Sequence, residues 1–266
     1  MIKSTEIDTI KEEKTYSICT LVTDLDEYKY MLESFENAGF NTSNSEFIYI
    51  DNSKSNKYDA YIGLNKCLNT ATGKYIILCH QDILLKYDNE QTLNECIKEV
   101  TKIDDTWAIL ANAGYKDFNN IVLRITDPWG ENRNFGPFPS KVVSIDENFI
   151  LVKNSANLTL SKGINGFHLY GTDLCLISDI LGYSTYVIDF HLYHKSAGNA
   201  NQNFYENKIR FIKHYQNVLT TKLIRTPVTG LFLSSSSALN YLCNIKLCYS
   251  LKKRFDKFFE YLRQYL

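Results

Sequence analysis

No apolar run in this chain approaches the ~20 residues that a membrane-spanning helix requires. Residues 1–14 are polar and charged, so no secretory leader is predicted. The seven cysteines (Cys19, Cys67, Cys79, Cys96, Cys175, Cys243 and Cys248) form no CxxC pair. Their odd number, and the apolar setting of several, predict buried thiols in a reducing compartment. No internal repeat is present, and Ser234–Ser237 is the one low-complexity tract. The first predicted strand is followed by acidic Thr23-Asp24-Leu25-Asp26 rather than a Gly-rich basic loop, which argues against a nucleotidyltransferase or pyrophosphorylase. No feature predicts a nucleic-acid partner.

What is present is an ordinary globular composition. With 44% hydrophobic and 22% charged residues in 266, the chain is long enough for one sizeable domain with an appendage. Nineteen Tyr and fifteen Phe can fill a core or form platforms for flat or sugar-like ligands. The net charge of −1 hides an asymmetry. Residues 201–266 carry 11 Lys/Arg against 3 Asp/Glu, while residues 1–200 carry 18 against 27. Such a tail predicts either a solvated basic face or an anionic partner, most simply a membrane surface or a polyanionic substrate.

Strand and helix patterns alternate over the first half. Tyr16–Val22, Glu46–Ile50, Tyr75–Cys79 and Trp107–Ala111 read as buried strands, separated by helices over 26–39, 57–71 and 91–103. This alternation predicts βαβ crossovers and a mostly parallel sheet. Residues 112–140, rich in Gly, Asn, Pro and aromatics, read as long loops over a site. Further strands are predicted at 141–145, 149–153 and 186–190, the first two flanking Asp146-Glu147, with a helix over 173–181. Beyond about 203 the pattern reads as helical. There Leu247, Leu251, Phe255, Phe258, Leu262 and Leu266 trace an apolar stripe among basic residues. The expected domains are a leader (1–15), an α/β domain (16–203) and a C-terminal helical extension (204–266).

The most informative residues stand where strands end. His80-Gln81-Asp82 follows the third strand directly, and Asp51 follows the second. In a parallel α/β sheet those ends share one rim, where ligands bind. A carboxylate there can hold a divalent cation, and an imidazole can bind metal or donate a hydrogen bond. Asp51 suits a ribose or base, or an Asx turn. Asp173 and His194 extend the set in the second half.

Asp51-Asn52-Ser53, Gly63-Leu64-Asn65, Thr72 to Leu78, His80-Gln81-Asp82, Phe167 to Cys175, Gly182-Tyr183 and His194 to Gly198 resemble, in order, the inverting family 2 glycosyltransferases of the GT-A fold. The likeness is closest to the subgroup related to the StrF protein of streptomycin biosynthesis, and it covers roughly residues 16–200. It implies a nucleotide-sugar donor, with uridine the family's commonest base, and a glycan or lipid-linked acceptor in bacterial surface polysaccharide synthesis. Leu21, Val22, Asp51, Asn65, His80, Gln81 and Asp82 would then bind the nucleotide sugar. Asp82 and His194 would hold Mn2+ or Mg2+, although His191 lies close enough in sequence to compete with His194. Asp173 would be the general base, and His168, Asp146 and Trp129 would contact the acceptor. Each assignment has a plain structural counterpart: Asp173 can favour a helix N-terminus, His168 can pack, and Asp146 can serve a turn.

His80 stands where most of the wider family has the first Asp of D-x-D, which leaves metal dependence open. It also keeps a non-catalytic binding or scaffold role as the alternative. A retaining glycosidase would need two carboxyls about 5 Å apart, and no such pair announces itself. The expected location is cytoplasmic, peripheral on the inner face of the membrane through the basic C-terminal helices.

Overall fold

The structure, a computed structural model, describes residues 14–198, 202–227 and 229–244. In chain order come β1 (Lys14–Val22), α1 (Leu25–Asn37), β2 (Ser45–Asp51), α2 (Ala60–Thr70), β3 (Gly73–Cys79), β4 (Ile83–Leu84), α3 (Glu90–Ile103) and β5 (Trp107–Ala111). Next are β6 (Ala113–Tyr115), β7 (Ile121–Asp127), β8 (Gly130–Phe135), β9 (Ser140–Lys141), β10 (Ser144–Ile145) and β11 (Phe149–Lys153). They are followed by α4 (Tyr170–Ile180), β12 (Ser184–Val187), β13 (Leu192–His194) and α5 (Gln202–Val218). A hairpin, β14 (Lys222–Arg225) and β15 (Gly230–Leu233), leads to α6 (Ser237–Asn244).

The main sheet has the order β2-β1-β3-β11-β5-β12-β9. Five of its seven strands run in one direction, and β11 and β9 oppose them. The first three helices begin where short polar side chains cap them. Asp24 accepts from the N–H groups of Asp26 and Glu27, Asp59 from Ile62, and Asn89 from Thr92. Helices α1 and α3 turn Met31, Phe35, Leu93, Ile97 and Val100 into one cluster with Tyr16, Ile77, Trp107, Leu110 and Leu151. Each such side chain, fully withdrawn from water, contributes roughly 1.5–3 kcal/mol. That core holds the rim of β1, β2 and β3 in place.

Residues 112–140 differ from the expectation of long loops. They form an antiparallel meander of β6, β7 and β8, ending in the edge strand β9. The strands are short, separated by Asn- and Gly-bearing turns, and β8 is half exposed, so no apolar run marks them. This second sheet continues β10-β6-β7-β13-β4. Helix α4 starts at Tyr170, three residues before the expected start, and the strand predicted over 186–190 runs from 184 to 187.

The chain divides into two compact units, Met1–Phe211 and Ile212–Leu266. In the second, the helical expectation is corrected by the β14–β15 hairpin, where Leu223↔Phe232 and Ile224↔Leu231 pair. β-Branched and apolar residues alternate too briefly there to be told from a helical turn. Of the expected leader (1–15), Lys14 and Thr15 already belong to β1, while residues 1–13 and the apolar stripe from Leu247 to Leu266 lie outside the described residues.

Candidate active site

The backbone at the end of β3 is fixed from two sides. The His80 N–H donates to Asn148 O (3.0 Å), in step with the β3–β11 pairing of Cys79 with Phe149. Gln81 accepts from Thr23 N (2.7 Å) and Asp24 N (3.0 Å) and donates to Thr23 Oγ1, tying the exit of β3 to the exit of β1. The two-residue strand β4 then pairs antiparallel with β13, His194 opposite Ile83, and Lys195 N donates to Asp82 O (3.1 Å). That pairing delivers His194, over a hundred positions downstream, to the side of Asp82.

The result is a cluster of three ligand-type groups. His194 Nε2 lies 3.4 Å and His80 Nδ1 3.9 Å from Asp82 Oδ1, and all three ligand atoms fall within 4.8 Å of one another. A chain of hydrogen bonds fixes the tautomer of His80. Tyr170 Oη donates its one proton to Glu147 O (3.1 Å), so at 2.9 Å from His80 Nε2 it must accept. Nε2 therefore carries the ring proton, and the lone pair of Nδ1 faces Asp82. Orienting partners of this kind are what metal-binding imidazoles have.

The electrostatics agree. Burial raises the Asp82 carboxyl, but His194, Ser196 and His80 outweigh it and hold the carboxyl well below its ordinary range. Burial, reinforced by His194, keeps the His80 pKa low, so the ring is neutral. Burial lowers the His194 pKa, but Asp82 more than compensates and raises it. Two imidazoles and one carboxylate are a donor set that can hold a divalent cation. His191 does not compete: its Nε2 pairs with Thr126 Oγ1 (2.8 Å) and its ring stacks on Tyr87 (3.9 Å).

Two contiguous cavities, about 470 and 440 Å3, open beside the cluster, and both are lined by Asp146, Thr172, His194 and Ser196. The larger also meets Trp129, Arg133, Tyr115 and Asn148. Trp129 is 73% exposed and held by its Nε1–H to Ala197 O (3.0 Å). Asn148 Oδ1 is a buried acceptor with no partner. The smaller cavity meets His80, Glu147, His168 and Phe204. His168 sits edge-on to Phe204 at 5.5 Å, and burial lowers its pKa. Leu169, next to it, has φ +67°, a left-handed conformation that a leucine seldom adopts, and it turns the chain sharply into α4.

The other sequence-predicted residues are set apart in their surroundings. Asp51 is exposed and closes an Asx turn, accepting from Ser53 N and Oγ, which holds its carboxyl low. It stands beside Val22 in register, and Val22 itself is fully buried. Leu21 packs towards α2, where a Cβ on Gly63 would come within 2.6 Å of Leu21 Cδ2. Asn65 staples the 159–160 segment through Leu160 N, Leu160 O and Thr159 Oγ1.

Asp173, the base expected from the resemblance, is 0% exposed, and neither cavity is lined by it. Its oxygens accept from Ser161 N and Ser161 Oγ, both at 2.7 Å. Removing this double acceptor in Asp173→Ala should cost about 1–3 kcal/mol, read as a lowered denaturant midpoint at unchanged m. A fully stable Asp173→Asn variant without turnover would instead make Asp173 the base.

The carboxylates that line the smaller cavity are Asp146 and Glu147, and Asp127, paired with Arg133, lines the larger one beside Asp146. Asp146 Oδ1 accepts from Asn148 N and Nδ2. Glu147 Oε1 accepts from Gly171 N (3.2 Å) in the first turn of α4, and a Cβ at Gly171 would lie 3.3 Å from Glu147 Cγ. The absence of a side chain at 171 lets the Glu147 carboxyl occupy that corner. Burial pushes its pKa up to about 8, against the hydrogen bond from Gly171. Glu147 and Tyr170 were missed as site residues, although two acids between two strands was a visible signal for the first.

The fold and this rim define a GT-A-like architecture. The chain is similar to a mannosyltransferase of Pyrobaculum calidifontis solved with GDP-Man and Mn2+: 12% identical, TM-score 0.51, covering 78% of this chain. The chain spans 65% of that protein's length. A likeness to S. aureus TarS is weaker, at 12% identity, 75% of this chain, 65% of that chain and TM-score 0.47, and nothing rests on it. No family model matches. The chain belongs to the family of the ATP synthase subunits region ORF 6 protein of Fuscovulum blasticum, with 33% identity over 228 residues, 83% of this chain and 91% of the relative.

Proposed function

We propose that this protein is an inverting glycosyltransferase that moves a sugar from a nucleoside-diphosphate sugar to an acceptor hydroxyl. The observation that carries the reading is the His80–Asp82–His194 cluster at the C-terminal rim of a GT-A-like sheet, opening onto cavities lined by Asp146 and Glu147. The nucleotide would lie along the exits of β1, β2 and β3, near Leu21, Asp51 and Gln81.

His80 Nδ1, Asp82 and His194 Nε2 would hold the cation. A cation there supplies positive charge against the leaving diphosphate. Two nitrogen donors favour Mn2+ over Mg2+, which prefers an all-oxygen shell.

Glu147 is the base in this reading. The acceptor oxygen attacks the anomeric carbon, the bond from that carbon to the diphosphate oxygen breaks, and the hydroxyl proton passes to the Glu147 carboxylate. Trp129 offers an aromatic face to an acceptor sugar, and Asn148 Oδ1 an unfilled acceptor. The acceptor is a growing glycan or its lipid-linked form. The described cysteines are free, five of them buried, which supports a cytoplasmic setting.

Calorimetric titration with UDP and GDP, with and without Mn2+, tests this. We expect Mn2+-dependent binding of one nucleoside diphosphate and slow hydrolysis of the matching sugar nucleotide. Failure of both nucleotides to bind would make the protein a non-catalytic scaffold.

A further inference from the structure

The larger cavity changes its chemistry from one end to the other. Its floor is one face of the β6–β7–β8 meander. Side chains alternate between the two faces of a strand, so Ile121, Leu123, Ile125 and Asp127 share a face of β7. Pairing adds Tyr115 opposite Ile121 and Arg133 opposite Ile125. All of these residues line the cavity, and all belong to the first compact unit.

The polar groups gather at one end. Strand β13 runs parallel to β7 with Tyr193 opposite Thr126, which brings the next residue, His194, level with Asp127. Arg133 pairs with Asp127 there (2.8 Å), and Trp129 stands in the adjoining β7–β8 turn. Asp146, whose N–H donates to Ala113 O (2.9 Å), comes level with Leu123, the partner of Ala113. Beyond Leu123 the floor continues with Ile121 and Tyr115, 36% and 44% exposed. Val143, 61% exposed, flanks them, its N–H donating to Tyr115 O (2.8 Å). Phe118, 98% exposed, stands further out in the β6–β7 turn.

Ile121 and Asp127 lie six residues apart on one strand, roughly 20 Å, which is longer than one sugar ring. A sugar held at the polar end would leave the apolar end against water. Large apolar side chains that stay exposed where a cavity opens outwards mark a groove for an apolar ligand. Because they continue the floor of the cavity that holds the polar groups, one molecule with a polar head and an apolar tail covers both.

We propose that the acceptor is such an amphiphile. Its hydroxyl-bearing head lies at the Asp146–His194 end of the larger cavity, and its hydrocarbon portion leaves over Ile121 and Tyr115 towards Phe118. The inference rests on the glycosyltransferase reading and selects the lipid-linked form of the acceptor over the free glycan.

The test is binding of paired methyl and octyl glycosides (glucoside, galactoside and N-acetylglucosaminide) to the full chain. Of the two tryptophans, Trp107 is 0% and Trp129 73% exposed, so a change in emission reports occupancy beside Trp129. Octyl glycosides should shift the emission to shorter wavelength and bind at least ~10-fold more tightly than their methyl partners. Burial of two methylenes is enough for that factor. A Tyr115→Ser/Ile121→Ser variant should lose the selectivity while keeping its thermal unfolding and its binding of UDP or GDP. Equal binding of octyl and methyl glycosides overturns the proposal, and so does selectivity that the variant leaves unchanged. Self-association that the variant abolishes, without octyl selectivity, would also overturn it and make the patch a contact between copies. The glycosyltransferase reading fails on a separate readout. If neither UDP nor GDP binds with Mn2+, that reading and the acceptor assignment fall together, whatever the glycosides do.

Discussion

Asp82→Asn is expected to reduce sugar transfer on the order of 10^3-fold while leaving the protein folded. Asp82 Oδ1 is the shared neighbour of both imidazoles, so removing its charge dismantles the cation site from its centre. Losing even an outer partner of a metal ligand costs ~10–100-fold. Losing the one carboxylate of the set should cost more. Asparagine keeps the shape, and the backbone bond from Lys195 N to the carbonyl of residue 82 is untouched. Calorimetry should therefore show Mn2+ binding lost with thermal unfolding little changed. Wild-type Mn2+ affinity in this variant would remove the cation from the cluster altogether.

Glu147→Gln is the second large effect. A positioned base contributes ~10^2–10^4-fold, and the amide cannot take the proton, so turnover should fall by that factor with donor binding retained. The wild-type rate should climb as pH rises through about 8, where the carboxyl ionises, and the glutamine variant should lack that limb.

Stability should move the other way. The folded-state pKa is raised from the ordinary 4.5 to about 8, so the folded chain holds the proton more tightly than the unfolded one. The neutral carboxyl's contribution is fully present below about pH 4.5 and is lost as pH rises to 8. Native stability therefore falls across that window, whereas Glu147→Gln carries no such ionisation. The variant's advantage in thermal midpoint should widen from pH 4.5 to 8 and level off above it. An equal midpoint at all pH values, with full activity, would mean that Glu147 is neither buried nor the base. A residue that costs stability yet lines the cavity is the pattern expected of a functional site.

Much of this architecture was legible residue by residue. Tyr75–Cys79 and Trp107–Ala111 are continuous apolar runs, and Tyr16–Val22 is broken by Ser17 and Thr20, because strands buried on both faces need no alternation, and all three are strands. The helices between them were legible in the helical spacing of their apolar residues, and the structure adds the caps Asp24, Asp59 and Asn89 that start them. The meander from β6 to β8 and the β14–β15 hairpin were not legible. Strands of three to seven residues with one wet face carry too little periodic signal, and their stability comes from partners far away in the chain.

The site divides in the same manner. The sequence by itself determined an α/β rim carrying His80 and Asp82 at the end of β3, because a buried run must end where polar residues begin. It also supplied the chemistry available there. Only the tertiary structure decided which groups act together. The two-residue strand β4 sets His194 against Asp82, and Tyr170, ninety positions downstream, orients His80. The close approach of α4 at Gly171 sinks Glu147 and seals Asp173 against Ser161. Those outcomes depend on burial and on distances across long stretches of chain, quantities that exist only after folding.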